Sequence, residues 1–324
     1  MFIVKLKKSK KMTLKNQTFK NLLSVVLSNE VTIKLLLAFA LAIAVLFHSV
    51  AQAPASTKRD YITNNMFWGN LTIAGKIIGK FNYAIEMEER RQADPEHAAN
   101  PKQTVGSDHN NIFKNNYQRV FRPWIHYQIT PKYRLSYNPI TWFGTWAYPV
   151  NGQRSFQPEW RTSIQVTSED HIGRVRIIQR YRFEYRWYGT KANIDDEDIF
   201  AGSPTTYSFL TQNQQMRFRY LFRTITPINN KELVKGTYYA LVSTEIFLKF
   251  GHYIPNNQIY DQNRTYIGLG YKVSEALRLE GGYMLQNKMT LTNTAQNEVD
   301  LNSVLFVNVL IDDFNSIFRK KKQE

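Results

Sequence analysis

The sequence contains no cysteine, which excludes disulfide bonds and metal sites built on thiolate ligands. It also lacks a Gly-x-Ser-x-Gly nucleophile motif, a phosphate-binding loop and a dinucleotide-binding fingerprint. Histidine is scarce, and the six residues show no close metal-ligand pairing: His48, His97, His109, His126, His171 and His252. We therefore expect no cofactor and no metal, and we do not expect an enzyme.

The apolar run at residues 35–47 spans 13 residues, which is short for a membrane-spanning helix of about 20 residues. A lysine-rich region precedes it, and small residues at Ser49 and Ala51 follow it. This order predicts a signal peptide that is cleaved after Ala51. The alternative is an uncleaved N-terminal anchor. Residues 1–51 are therefore interpreted as an N-terminal extension with a signal peptide, which predicts export.

Acidic residues are few, with 26 against 42 lysines and arginines and a net charge of +16. Most of this excess is terminal, because residues 1–34 carry +7 and residues 319–324 carry +3, which leaves +6 for residues 35–318. The body of the chain thus has only a modest positive bias. We expect no nucleic-acid partner.

The stretch at residues 174–188 has a period of two. Its even positions are mostly charged: Arg174, Arg176, Arg180, Arg182, Glu184 and Arg186. Its odd positions are mostly aliphatic or aromatic: Val175, Ile177, Gln179, Tyr181, Phe183, Tyr185 and Trp187. On a β-strand these sets form two opposite faces, one ionic and one apolar.

Similar alternation recurs along the chain and gives eleven candidate strands. Short connections at 78–80, 131–132, 168–173, 227–236 and 274–275 alternate with longer polar ones. This asymmetry is typical of outer-membrane barrels, which usually have an even strand number. The sequence predicts an all-β, antiparallel, up-and-down transmembrane β-barrel of about 12 strands, with 10 as the alternative. Residues 52–64 would form a polar leader, 65–314 the barrel and 315–324 a basic tail.

Tyrosine, tryptophan and phenylalanine are frequent on the apolar positions, which fits a lipid-facing band, whereas arginine and glutamate would line a polar lumen. A water-soluble sandwich would reverse these faces and usually has shorter strands. We expect the protein in the outer membrane of a Gram-negative bacterium. Its expected partners are outer-membrane lipid, the barrel-assembly machinery and small anionic solutes.

The residues predicted to face the lumen mix both charges, with arginine in excess. They are Glu86, Glu88, Arg90, Glu159, Arg161, Arg180, Arg182, Glu184, Arg186, Arg217, Arg219, Glu245, Arg264, Arg278 and Glu280. One interpretation is a narrow passive pore that favours small anions. The other is a structural barrel whose lumen is filled by arginine and carboxylate pairs.

Two further functions stay open. A barrel-embedded lipid or lipopolysaccharide hydrolase needs serine, histidine and carboxylate groups to meet across strands, as His126, Ser136 and Ser163 would allow. A surface binding protein would use the long loops 91–111 and 189–209. The second of these contains the acidic run Asp195, Asp196, Glu197 and Asp198, which lacks the glycine and distal glutamate of a calcium loop.

Several short motifs occur in a characteristic order. They are Phe67-Trp68, Glu88-Glu89-Arg90, residues 179–184, Arg217-Phe218-Arg219-Tyr220, Gln262-Asn263-Arg264, residues 268–271 and residues 279–283. In this order the chain resembles the family called domain of unknown function 2490, over roughly residues 65–314. The resemblance implies a bacterial outer-membrane barrel without an assigned activity. The basic tail after Phe314 or Phe318 departs from the aromatic C-terminal residue that many barrels have.

Overall fold

The computed structural model describes residues 60–95, 106–148, 154–189, 192–194, 214–251, 259–291 and 297–317. The predicted signal peptide, the acidic run 195–198 and most of the basic tail lie outside these residues. His48, His97 and His252 also lie outside them. Within the described residues, no helix is long and apolar enough to cross a membrane.

The described residues form twelve strands and one helical turn. The strands are β1 (Asp60–Ile78), β2 (Phe81–Gln92), β3 (Asn115–Gln128), β4 (Tyr133–Trp146), β5 (Arg154–Ile172), β6 (Val175–Tyr188), β7 (Ala192–Ile194), β8 (Gln215–Pro227), β9 (Tyr238–Phe250), β10 (Tyr260–Lys272), β11 (Leu277–Leu291) and β12 (Asn297–Ile311). The helical turn is α1 (Phe314–Ile317). The prediction of an all-β fold is confirmed.

All strands except β7 form a closed barrel of eleven strands, in which sequential neighbours are antiparallel. Strand β12 closes the barrel against β1 in a parallel pairing that runs from Asp60 opposite Glu298 to Ile73 opposite Ile311. With an odd strand number the first and last strands point the same way, so the seam must be parallel. The barrel is therefore mixed rather than wholly antiparallel, and neither 12 nor 10 strands is confirmed. Within the part of the chain that the structure describes, the short β7 pairs with the start of β5 alone.

Strand β1 is longer than predicted. It begins at Asp60, and residues 60–64, which the sequence assigned to the polar leader, pair with residues 298–302 of β12. Polar side chains at these positions still join the sheet because the pairing uses backbone groups. Asn64, for example, also donates a side-chain hydrogen bond of 2.9 Å to Asn302. Charge and polarity therefore did not mark the end of the leader.

The two ends of the barrel differ in their connections. At one end, which we call the turn end, the strands are joined by the short connections 79–80, 129–132, 173–174, 228–237 and 273–276. At the other end, which we call the loop end, β2, β4, β6, β9 and β11 finish and β3, β5, β8, β10 and β12 begin. Gly79 and Gly173 occupy tight turns with φ of 54° and 58°, a conformation that glycine adopts without steric cost. Strand β1 starts at the loop end, whereas α1 follows β12 at the turn end. There, Asn315 donates a hydrogen bond of 2.7 Å to the Lys76 carbonyl.

The outer and inner faces of the barrel have opposite character. Large apolar side chains stand exposed outside, including Phe183 at 51%, Leu269 at 63% and Leu305 at 48%. Inside, charged residues are buried, with Arg182 at 2% and Glu184 at 4% exposure. A soluble protein seldom exposes so much contiguous apolar surface. The outer face therefore suits a partner other than water.

Candidate functional site

Ion pairs cover much of the inner face of the barrel. The structure places all fifteen residues predicted to face the lumen on the inward positions of their strands. Fourteen of them lie within 4.0 Å of an opposite charge. The exception is Arg264, which has no ion pair with any described residue. Cross-strand register explains the pairing, since Glu184 on β6 stands directly opposite Arg217 on β8.

Glu184 is the centre of this network. Its carboxylate accepts hydrogen bonds of 2.8 Å from Arg217 and 2.7 Å from Arg219. Two more guanidinium groups, of Arg182 and Arg161, lie 3.5 and 3.7 Å away. One buried carboxylate therefore compensates part of the charge of four arginines, which come from β5, β6 and β8. Glu184 was predicted as one of many lumen residues, and its central place appears only in three dimensions.

Aromatic side chains fill the middle of the barrel between these charges. We call Trp68, Trp124, Phe143 and Phe247 the arginine-aromatic layer, because each ring has a guanidinium over its face. Arg161 lies 3.6 Å from the Phe143 centroid, Arg90 4.0 Å from Trp68, Arg219 4.3 Å from Phe247 and Arg182 4.7 Å from Trp124. The four rings are at most 2% exposed. Such stacking is favourable, most strongly where the cation is desolvated.

This layer was not predicted from the sequence, because the aromatic residues were assigned to the outer face. The alternation of the sequence nevertheless indicated these rings. Trp124 shares the even positions of its strand with Arg122 and His126, and Phe247 shares the odd positions of its strand with Glu245 and Lys249. An aromatic ring on a charged face was thus already visible. Its role becomes clear only when guanidinium groups from neighbouring strands are seen over it.

A cavity of about 220 Å³ lies in the loop-end half of the barrel, and we call it the arginine chamber. Its cationic lining is Arg90, Arg122, Arg161, Arg186, Arg217, Arg219, Arg264 and Lys288. Its carboxylates are Glu88, Glu159 and Asp261. Eight cations against three carboxylates give the lining an excess of five positive charges. The chamber can therefore attract anions.

Asp94 organises the loop that follows β2 at the loop end. Its carboxylate is only 2% exposed and accepts hydrogen bonds from Lys114 at 2.5 Å, Asn115 at 3.0 Å and Tyr148 at 3.1 Å. The backbone amide of Asp108 adds a fourth bond at 3.0 Å. A side chain at Gly106 would collide with this carboxylate. The sequence predicts only a polar loop for residues 91–111, because these contacts join residues that are distant in the chain.

Acid is expected to loosen this loop through Asp94. Burial alone would raise the pKa of the Asp94 carboxyl, but the hydrogen bonds from Lys114, Asp108, Asn115 and Tyr148 lower it to about 2. Because the folded-state pKa is depressed, the stabilisation is complete well above the ordinary value of 3.8 and is lost as the pH falls toward 2. Asp94→Asn should lower the local stability of the folded loop by about 1–2 kcal/mol. The loss is moderate because Lys114 is partly exposed to solvent.

Hydrogen exchange of the amides of Asp94 and Asp108 measures this effect. In the wild type, exchange should accelerate between pH 3.8 and 2 beyond the intrinsic pH dependence. In Asp94→Asn it should be fast at pH 7 already and show no additional acid transition. A wild-type loop that stays equally protected across this interval would contradict the assignment.

The structure also brings together two residues considered for hydrolysis. His126 Nδ1 lies 2.8 Å from Ser136 Oγ across β3 and β4. Ser136 is 1% exposed and Ser163 5%, and neither lines the arginine chamber. The serine is thus within reach of a base but not of a substrate in this conformation. Among the described residues, no cluster of three or more histidines and carboxylates suits a metal.

Comparison with known proteins agrees with the resemblance seen in the sequence motifs. Residues 65–297 match the family described as protein of unknown function (DUF2490), a range that ends where β12 begins. No curated protein and no solved structure matches the chain. Because the family match spans more than half of the 324 residues, the chain belongs to the family described as protein of unknown function (DUF2490).

Proposed function

We propose that this protein is an integral outer-membrane β-barrel whose interior is sealed, so that it acts as a structural barrel rather than an open pore. The single observation that carries the proposal is the inverted distribution of its faces. Apolar side chains such as Phe183, Ile267 and Leu305 are about half exposed or more, while arginines and carboxylates are buried inside. Lipid is the solvent that makes this arrangement favourable.

Closure of the sheet supports the same conclusion. In a bilayer every backbone polar group needs an internal partner, which only helices and closed barrels provide. The parallel pairing of β12 with β1 leaves no open edge along the seam. Outward charges occur where a membrane tolerates them: Glu89 and Arg119 form an ion pair of 2.6 Å in the loop-end half of β2 and β3.

The compartment is inferred from the first 51 residues. An apolar run of 13 residues after a lysine-rich region favours export. A closed barrel with an apolar outer face is then expected in the outer membrane of a Gram-negative bacterium. Its partners would be outer-membrane lipid and the barrel-assembly machinery.

The arginine-aromatic layer favours a sealed interior over a narrow anion pore. Arg182, whose guanidinium stacks on Trp124, is 2% exposed although it is one of the longest side chains of the interior. On the opposite wall Tyr239, Leu241 and Val304 are 0% exposed. These side chains fill the cross-section below the arginine chamber. A solute that enters from the loop end would therefore stop at this layer.

Recordings across planar lipid bilayers test the seal. We expect no stepwise conductance from the folded wild-type barrel, because the layer blocks the lumen. Replacing both Trp124 and Arg182 with alanine should open a conductance that favours anions, since cations exceed carboxylates along the lumen. The matched control replaces the outward neighbours Ile125 and Phe183 with alanine and should stay silent. Stable conductance steps in the wild type would contradict the sealed barrel.

A barrel-embedded hydrolase is the second candidate, and the contact between His126 and Ser136 favours it. Its weakness is the burial of Ser136. Release of fatty acid from phospholipid or lipopolysaccharide by the wild type, abolished in Ser136→Ala, would support this candidate. Equal background release from both proteins would leave the contact as a structural hydrogen bond.

A further inference from the structure

We propose that the arginine chamber is a binding site for a small oxyanion of the phosphate class, with Arg264 as its principal ligand. The chamber would then hold a ligand rather than pass one. A binding site goes beyond the structural barrel proposed above. The two proposals share one feature, the closed layer of side chains below the chamber.

The charge of the chamber requires compensation. Its lining has eight cationic side chains and three carboxylates. Glu184, Glu245, Glu86 and Asp300 lie outside the lining and pair with Arg217, Arg219, Arg122 and Lys288. They reduce the excess from five positive charges to one. Uncompensated buried charge is costly. A cavity with low-dielectric walls also concentrates its field on the space inside. An anion in the chamber would compensate the buried positive charge and would be attracted by this field.

Arg264 identifies where the anion binds. Each of the other seven cations in the lining lies within 4.0 Å of a carboxylate, whereas Arg264 has none among the described residues. Its guanidinium carbon lies 4.8 Å from the ring centroids of both Trp68 and Phe247. Two of its nitrogens lie 3.1 and 3.2 Å from the Gln286 side-chain amide. The group is thus held in place by neutral partners, and none of the described carboxylates lies within 4.0 Å of it.

A second guanidinium stands close to Arg264. Arg90 lies 4.0 Å from the same Trp68 centroid, so the two guanidinium carbons are at most 8.8 Å apart, the sum of 4.0 and 4.8 Å. Glu88 pairs with Arg90 on one side, but the two guanidinium groups still repel each other. An oxyanion that accepts from both groups would convert the repulsion into attraction. Arginine suits this role because its planar fork matches two oxygens of a phosphate or carboxylate.

The size of the chamber limits the ligand. A volume of about 220 Å³ equals the share of roughly seven water molecules in liquid water. This accommodates a tetrahedral oxyanion with part of its hydration, and it excludes a folded polymer. A spherical halide would fit but lacks the two oxygens that a guanidinium fork recognises. Phosphate is therefore the probe of choice, with acetate and chloride as comparisons.

Isothermal titration calorimetry of the folded full-length chain in detergent, at low ionic strength, tests the site. We expect saturable phosphate binding that Arg264→Gln weakens by about tenfold or more, as for loss of a charge-assisted hydrogen bond. The matched control, Arg176→Gln, removes the same charge near the turn end, where Arg176 pairs with Glu169. It should bind as the wild type does. Absence of saturable binding, or equal affinity in Arg264→Gln, would overturn the proposal.

Two further arms keep the test decisive. If Arg264→Gln fails to fold, the wild type is titrated with phosphate, acetate and chloride, and calorimetry reports occupancy. Equal responses to all three would reject an oxyanion site in favour of general screening. If acetate binds as strongly as phosphate, the ligand of the site belongs to the carboxylate class and the phosphate proposal is wrong. The test is independent of the seal, because conductance that phosphate blocks would refute the sealed barrel and still support the site.

Discussion

Replacing Glu184 with glutamine is expected to lower the free energy of unfolding by about 3–5 kcal/mol, the range for breaking a buried ion pair. Glutamine keeps the size of the side chain but removes the charge that four guanidinium groups share. Arg182, Arg217 and Arg219 are each at most 5% exposed, so water can compensate only part of the missing negative charge. The loss is large because charges remain buried, not because the ion pair itself is strong.

Urea unfolding of the barrel in lipid vesicles measures this loss. The matched control is Glu169→Gln, which removes a carboxylate that pairs with Arg176 near the turn end. Both partners there are about 30% exposed, so the expected cost is about 0–1 kcal/mol. Equal costs for the two variants would mean that water reaches Glu184, and the filled interior would then be wrong.

Replacing Phe183 with arginine is expected to cost about 2–4 kcal/mol in a bilayer, as for arginine on the lipid face near the midplane. Phe183 is 51% exposed in the middle of β6, beside Phe218 at a centroid distance of 5.0 Å. On a water-facing surface the same change would usually stay within about 0.5 kcal/mol. The size of the effect therefore distinguishes lipid from water outside the barrel.

Two control variants separate the causes of this loss. Phe183→Leu removes the aromatic contact without adding charge and should cost clearly less than Phe183→Arg. Ile172→Arg places the same charge at the end of β5, beside the turn, where the expected cost falls to about 0–1 kcal/mol. If all three variants unfold at the same urea concentration as the wild type, the outer face does not contact lipid.

Much of the barrel follows from the period of two. Alternation at residues 174–188 is enough to separate the face with Arg182 and Glu184 from the face with Phe183, because a strand places successive side chains on opposite sides. Eleven candidate strands were also counted from the sequence. The even-number tendency of bacterial barrels then favoured twelve or ten, and the parallel pairing between β1 and β12 explains why an odd number closes here.

The contents of the interior were harder to predict. Alternation shows which face a residue occupies but not what it meets across the lumen. Trp68 and Trp124 share the charged face because guanidinium groups of Arg90 and Arg182 stack on them. Among the described residues no carboxylate lies within 4.0 Å of Arg264, and this follows from its three-dimensional neighbours Trp68, Phe247 and Gln286 on β1, β9 and β11. No local pattern contains that information.

Thiol accessibility in bilayers tests the central claim, that the apolar face contacts lipid, most directly. The chain has no cysteine, so single cysteines can replace Phe183, Val242 and Leu305, which are 51%, 48% and 48% exposed. A cysteine at Ser107, which is exposed at the loop end, provides the water-facing control. We predict that a membrane-impermeant thiol reagent labels only position 107, and that fluorophores at the other three positions are quenched by brominated lipid. Rapid labelling at all four positions, without quenching by lipid, would contradict the account.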